Sequence, residues 1–114
     1  MEQVDYRDFF STLANHSRLA IVQLLRRHGA TVTQIAESLG YEQSRVSHSL
    51  ARLQQAGIVA CRWEDKRKVF RLAEDLPTLL RDIDLYLERH PKASRNGTHA
   101  ERSWSTHWAT AASE

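Results

Sequence analysis

The sequence of 114 residues is poor in cysteine and lacks long apolar runs, and both features narrow its possible functions. Cys61 is the single cysteine, so the chain cannot form an intramolecular disulfide or a site that needs two thiols. Apolar runs extend over only a few residues, which excludes a transmembrane helix. The N-terminal stretch MEQVDYRD is acidic and lacks the basic-then-apolar order of a secretory signal. We therefore expect a cytoplasmic protein that does not associate with membranes.

Enzyme motifs are also missing. The sequence has no glycine-rich phosphate loop and no metal-hydrolase motif. A chain of 114 residues also leaves no room for a second, catalytic domain. We therefore expect a protein that is not an enzyme and that needs no cofactor.

The net charge is only +2, from 16 basic and 14 acidic residues, so overall charge gives a weak preference for nucleic acid. The positive charge is concentrated in one place. Between positions 62 and 71 there are two acidic residues and five basic ones: Arg62, Lys66, Arg67, Lys68 and Arg71. The hydrophobic fraction of 41% and the charged fraction of 26% are typical of a soluble globular domain.

Hydrophobic periodicity predicts two helices at the start of the chain. The first, over about residues 5–15, has apolar side chains at the i, i+3, i+4, i+7 spacing of an amphipathic helix. These side chains are Tyr6, Phe9, Phe10 and Leu13. A second and more apolar helix is predicted from Leu19 to Arg27. Gly29 would end it, because glycine adopts the left-handed conformation without steric cost.

Two short helices joined by a three-residue turn are predicted next. Thr31 and Gln34 fit a capping box at the start of the first helix, which Gly40 ends. The second helix covers Gln43–Gln55, and Gly57 follows it. Its inward-facing apolar residues are Val46, Leu50 and Leu53. Helices of this length with this turn predict a helix-turn-helix.

A β-hairpin and a last helix complete the predicted fold. Two strand-like runs, Ile58–Trp63 and Lys68–Leu72, flank a polar turn in which Asp65 suits a positive φ. The last helix begins after Asp75, with Pro77 in its first turn. Its apolar stripe consists of Leu76, Leu79, Leu80, Ile83, Tyr86 and Leu87. The order α-α-α-α-β-β-α predicts a mainly α (α+β) winged helix-turn-helix over residues 1–90, with 91–114 as a flexible C-terminal tail.

The polar face of the second short helix predicts sequence-specific binding to double-stranded DNA. In a helix-turn-helix this helix enters the major groove. Its polar side chains are Gln43, Ser44, Arg45, Ser47, His48 and Arg52. Gln43 is suited to adenine and Arg45 to guanine. Basic side chains of the hairpin could contact the DNA backbone: Arg62, Lys66, Arg67 and Lys68. The alternative is a winged helix that binds only protein or RNA, which has no need of such base-reading residues.

Three segments resemble the ArsR/SmtB family of repressors. They are LANHSRLAIVQLL (13–25), TVTQIAESLGYEQSRVSHSLARLQQAGIV (31–59) and KRKVFRL (66–72). The resemblance covers about residues 5–90. It implies a homodimeric repressor that binds an inverted-repeat operator and releases the DNA when an inducer arrives. The chain departs from the family pattern at Asn15-His16-Ser17 (usually Asp-Pro-Thr), at Ser49 (often His) and at Asp65 (commonly Gly).

The resemblance also implies a dimer built from the first and last helices. The sequence supports this, because these helices carry more apolar surface than one small subunit can cover. The predicted interface consists of Tyr6, Phe9, Phe10, Leu79, Leu80, Ile83, Tyr86 and Leu87. A two-fold dimer would present two recognition helices about one DNA turn apart.

The inducer is not predicted. Many members of the family bind metal through a cysteine pair near the helix-turn-helix, and the segment 31–40 contains no cysteine. Others use ligands on the last helix, and the residues available there do not have the required spacing: Asp82, Asp84, Glu88 and His90. We therefore expect no metal site. The alternative is a response to Ni²⁺ or Zn²⁺ in which His99 and His107 of the tail join His90 or Glu88. Oxidation of Cys61 beside Arg62 is a further candidate signal.

Overall fold

A computed structural model of the chain describes residues 5–92. Over this range it contains five helices and one two-stranded antiparallel sheet. The elements are α1 (Tyr6–Leu13), α2 (His16–Leu25), α3 (Val32–Leu39), α4 (Gln43–Gln55), β1 (Val59–Glu64), β2 (Arg67–Leu72) and α5 (Leu76–Arg89). The predicted element order is confirmed. The chain divides into a compact unit that ends at Pro77 and a second that begins at Thr78.

The capping box that the sequence predicts at the start of α3 is present. The Thr31 N–H donates to Gln34 Oε1 over 2.9 Å, and the Gln34 N–H donates to Thr31 Oγ1 over 3.2 Å. Gly40 ends the helix in the left-handed conformation, with φ of +70°. Gly57 follows α4 with φ of +75°. These local features set the length of both helices of the helix-turn-helix.

Replacing Thr31 by alanine should lower the free energy of unfolding by about 1 kcal/mol, because it leaves the Gln34 N–H without its acceptor at the helix end. Urea denaturation of the whole chain measures this change. Ser38→Ala is the matched control, since Ser38 is exposed on the same helix. Equal unfolding midpoints for the two variants would contradict the assigned role of the capping box.

The core of the first unit lies where α2, α3 and α4 pack against each other and against the sheet. Its large, fully buried apolar side chains are Ile21, Val22, Ile35, Val46, Leu50, Leu53 and Ile58. The burial of Val46, Leu50 and Leu53 confirms the predicted inward face of α4. Burying each of these large side chains contributes about 1.5–3 kcal/mol, so this face holds α4 firmly and turns its other side outward.

Both ends of α2 differ from the predicted range of Leu19–Arg27. The helix covers His16–Leu25, with the Asn15 side chain accepting the Arg18 N–H at its start. The prediction that Gly29 ends it in a left-handed conformation is wrong, because Gly40 and Gly57 are the left-handed glycines among residues 5–92. Gly29 is instead a point of close approach. A Cβ added there would lie 2.9 Å from Cγ of Arg71.

The hairpin, which we call the wing (residues 59–72), has a turn of two residues. Glu64 pairs with Arg67 in the sheet. At the turn, each strand is therefore one residue longer than predicted, since the predicted strands stopped at Trp63 and started at Lys68. Asp65 has φ of +52°, as the sequence predicted, and Lys66 also has a positive φ of +66°. Two positive φ angles in a two-residue loop are those of a type I′ turn, whose twist suits a hairpin. Ala30 extends the sheet, because its N–H and carbonyl both bond to Phe70.

The second unit begins within α5 and contains most of that helix. Its large exposed apolar side chains are Leu79, Leu85, Tyr86 and Leu87. The Tyr86 ring contacts the His90 ring, with 4.5 Å between centroids. None of the helices found between residues 5 and 92 has the length and apolar character needed to cross a membrane.

Candidate nucleic-acid interface

The exposed side of α4 carries five of the six predicted DNA-contacting residues of this helix. Gln43, Ser44, Arg45, Ser47 and His48 are all exposed, opposite the buried side. The first two turns of the helix are therefore densely covered by hydrogen-bonding side chains. Such groups can donate to and accept from base edges in a major groove.

Arg45 is held by contacts from two other parts of the chain. Its Nε–H donates to Ser17 Oγ over 2.8 Å, and its guanidinium carbon lies 3.8 Å from the centre of the Tyr41 ring. Ser17 is on α2, and Tyr41 lies in the turn before α4. Neither residue was predicted from the sequence to be part of the site. Tyr41 is four residues from Arg45, so local spacing could have indicated it, whereas Ser17 is 28 residues away.

Gln43 makes a bond across the helix-turn-helix. Its Nε2–H donates to Thr33 Oγ1 over 3.3 Å, which joins the start of α4 to the first turn of α3. Both side chains are exposed. The amide oxygen of Gln43 and its second N–H are not used in this bond, so they can pair with the N6 and N7 atoms of an adenine.

Arg52 lies in a different environment from the other predicted DNA contacts. Its side chain is 34% exposed, and Nη2 forms an ion pair with Asp8 Oδ1 of α1 over 2.6 Å. This bond ties α4 to α1 across 44 positions of sequence. A phosphate contact by Arg52 stays a prediction, and it would have to use the guanidinium hydrogens that Asp8 does not accept.

The wing presents its predicted basic residues to solvent. Arg62, Lys66, Arg67 and Lys68 are all exposed. Glu64 is engaged by Arg71, whose Nη2 lies 3.0 Å from both carboxylate oxygens. This ion pair neutralises one of the two acidic side chains of the wing. It does not involve any of the four basic side chains that are predicted to contact phosphates. Trp63, opposite Lys68 in the sheet, is 70% exposed, a feature that the strand pattern did not predict.

The predicted dimer residues on α1 form an exposed aromatic surface. Tyr6 is 71% exposed and Phe10 is 52% exposed, and their rings stack with 6.4 Å between centroids. The Phe9 ring meets Phe10 edge to face at 5.1 Å. On α5, Leu79, Tyr86 and Leu87 are exposed, Ile83 is half-buried and Leu80 is buried. The involvement of these residues in a dimer stays a prediction.

The candidate signal-binding residues are not gathered into a metal site in the part of the chain that the structure describes. No three His, Cys, Asp or Glu side chains between residues 5 and 92 lie close enough together to hold a metal ion. His99 and His107 lie outside that range. Cys61 is half-buried, with its Sγ 3.5 Å from Gln54 Nε2.

A helix-turn-helix followed by a two-stranded hairpin and a further helix defines a winged helix-turn-helix domain. The solution structure of the homodimeric winged helix-turn-helix DNA-binding domain Mb0332 of Mycobacterium bovis has the same fold. The Mb0332 domain is 28% identical in sequence. The match covers 79% of this chain and 93% of the Mb0332 chain, with a TM-score of 0.67. The transcriptional repressor BigR of Xylella fastidiosa is 26% identical, with coverages of 75% and 85% and a TM-score of 0.61.

Sequence comparison finds similar proteins among bacterial transcriptional regulators. The sequence model described as "Bacterial regulatory protein, arsR family" matches residues 15–60. The HTH-type transcriptional regulator NmtR of Mycobacterium tuberculosis is 37% identical over 78 residues, which are 68% of this chain and 65% of NmtR. The chain thus spans slightly less than two thirds of this relative. The similarity of the chain to the arsR family of bacterial regulatory proteins therefore covers α2 and the helix-turn-helix.

Proposed function

We propose that the chain is a cytoplasmic transcriptional regulator, and not an enzyme, that binds double-stranded DNA through α4 and the wing. The observation that carries this proposal is the two-sided character of α4. Val46, Leu50 and Leu53 hold one side in the core, while the other side presents five small or planar hydrogen-bonding residues to solvent. A helix held in this way can enter the major groove without reorganisation, because its orientation is already determined by packing.

The wing would supply contacts that do not depend on sequence. Its four exposed basic residues lie around a tight turn and can approach phosphates beside the major groove. Phosphate contacts of this kind give affinity and salt dependence, whereas the α4 side chains give base preference. The two surfaces therefore have separable roles, which separate mutations can test.

Repression from an inverted-repeat operator is part of the proposal. Its support is that BigR is named a transcriptional repressor and that Mb0332 is described as a homodimeric DNA-binding domain. The aromatic surface of α1 and the exposed apolar side chains of α5 would be buried in a two-fold interface between two copies of the chain. Two copies of α4 would then read two half-sites related by symmetry.

Sedimentation of the whole chain at micromolar concentration should give twice the 13.1 kDa mass of one chain. Phe10→Ala should weaken the dimer about tenfold, because it removes an exposed ring from the predicted interface. Leu19→Ala is the matched control, since Leu19 is an exposed apolar residue on α2 outside that interface. A monomeric wild-type protein, or equal effects of the two variants, would contradict the proposed interface.

Selection from random DNA tests the proposed function directly. The whole chain is incubated with a library of random duplexes about 30 base pairs long, roughly three helical turns, and the bound fraction is sequenced. The proposal expects enrichment of one motif in two inverted copies. If no sequence is enriched while a protein or a structured RNA is bound, the alternative of an interaction or RNA-binding module is correct.

The signal that releases the DNA can be sought with the same duplex. Binding is titrated with Zn²⁺, Ni²⁺, peroxide or a chelator present. A response to Zn²⁺ or Ni²⁺ that disappears when His99 and His107 are replaced would support the C-terminal metal alternative. A response to peroxide that disappears in Cys61→Ser would instead support oxidation in the wing.

A further inference from the structure

Arg45 is the one exposed cation on α4 whose side chain is restrained on two sides. The guanidinium carbon lies over the Tyr41 ring, 3.8 Å from its centroid, and Ser17 accepts the Nε–H. The restraint comes from two directions, because Tyr41 precedes α4 in the chain and Ser17 belongs to α2. A long side chain on an exposed helix face normally samples many rotamers, so this arrangement limits where the guanidinium can lie.

The two restraints leave the hydrogen-bonding edge that a base would need. A guanidinium has five N–H donors, and the Ser17 bond uses the one on Nε. The cation–π contact with Tyr41 is not a hydrogen bond to an acceptor atom, and the Ser17 bond is the hydrogen bond that the Arg45 side chain makes. The four Nη hydrogens stay available in the plane, and two parallel donors are what guanine O6 and N7 accept.

We propose that Tyr41 and Ser17 are positioning residues that hold Arg45 ready to discriminate one base pair in each half-site. The inference rests on the proposed DNA-binding function and deepens it. A side chain that is already placed loses less conformational freedom on binding, so more of its interaction energy with the base appears as discrimination. Tyr41 and Ser17 act only through Arg45 and need not touch the DNA themselves.

The test compares Tyr41→Leu, Tyr41→Phe and Ser17→Ala in the whole chain. Two DNA duplexes serve as probes. The first is the duplex that the wild-type protein selects. The second differs from it by one base pair, at the position where the Arg45→Ala variant no longer shows a base preference. Discrimination is the ratio of the two dissociation constants. Tyr41→Leu should reduce it about fivefold and Ser17→Ala about threefold, because the first removes a cation–π interaction and the second a hydrogen bond. Tyr41→Phe keeps the ring and should retain wild-type discrimination.

Two further measurements separate positioning from a general structural role. In an Arg45→Ala background, Tyr41→Leu and Ser17→Ala should have no further effect on discrimination. Affinity for a duplex of unrelated sequence, its salt dependence and the thermal unfolding midpoint should stay at their wild-type values. A reduction of the same size in both backgrounds would overturn the inference, since the effect would not pass through Arg45.

Other outcomes also decide the question. If Tyr41→Leu leaves discrimination unchanged, or raises it because Tyr41 and Ser17 hold Arg45 away from the bases, the inference is wrong while the proposed function stands. If the wild-type protein selects no duplex at all, the proposed function fails and the inference fails with it.

Discussion

Replacing Arg45 by alanine is expected to weaken binding to the selected duplex by about 1–3 kcal/mol and to abolish base preference at one position of each half-site. The reason is that a bidentate arginine–guanine pair is the commonest base-specific contact in a major groove and contributes about 1–3 kcal/mol of discrimination. Fluorescence anisotropy with the selected duplex measures the affinity. Repeating the selection with the variant measures the preference at each position.

Arg27→Ala is the matched control for the removal of one positive charge. Arg27 is exposed beyond the end of α2 and is not part of the predicted interface. It should bind the selected duplex nearly as well as the wild-type protein. An Arg45→Ala variant with unchanged affinity and preference would remove Arg45 from the set of base-reading residues and would overturn its assigned role.

Replacing Lys66 and Arg67 together by alanine should reduce affinity for every duplex and flatten its dependence on salt. The slope of log affinity against log salt concentration should fall by about 0.9 for each phosphate that is no longer neutralised, and a dimer is affected in both of its wings. The sequence preference found by selection should not change, because phosphates carry no base information. Titrations at a series of salt concentrations measure the slope.

The control removes two exposed charges elsewhere, as Arg27→Ala with Arg81→Ala. This double variant has the same net charge as the wing variant, so it separates local phosphate binding from the overall field of the protein. Tryptophan fluorescence offers a second measurement of whether the wing contacts DNA. When Trp104 and Trp108 are replaced by phenylalanine, Trp63 of the wing is the single tryptophan, so a change in fluorescence on adding DNA reports on the wing. A wing variant with an unaltered slope would place the wing outside the DNA interface.

The helix-turn-helix was predictable because its signals are local. The capping bonds of Thr31 and Gln34 join residues three apart, and Gly40 needs only its own positive φ to end α3. The outward face of α4 follows equally from spacing. Once every third or fourth residue of a helix is apolar, the side of the helix that faces outward is determined.

The details of the site were less predictable because they depend on distant residues. Arg52 carries the same charge and lies on the same helix as Arg45, yet its partner is Asp8 of α1. Nothing within a few residues of Arg52 indicates that pairing. The aromatic rings of α1 likewise suggest a dimer by their composition, while their exposure is known only from the fold.

By itself, the sequence determined the order of helices and strands, the helix-turn-helix, the inward side of α4, the Asp65 turn position and the family resemblance. These depend on hydrophobic periodicity and on backbone preferences that act over about four residues. The tertiary structure alone decided that Gly29 lies against the Arg71 side chain, that Ala30 joins the sheet, and that Ser17 holds Arg45. In each of these cases the partners are separated by 28 or more positions, and only packing of the core brings them together.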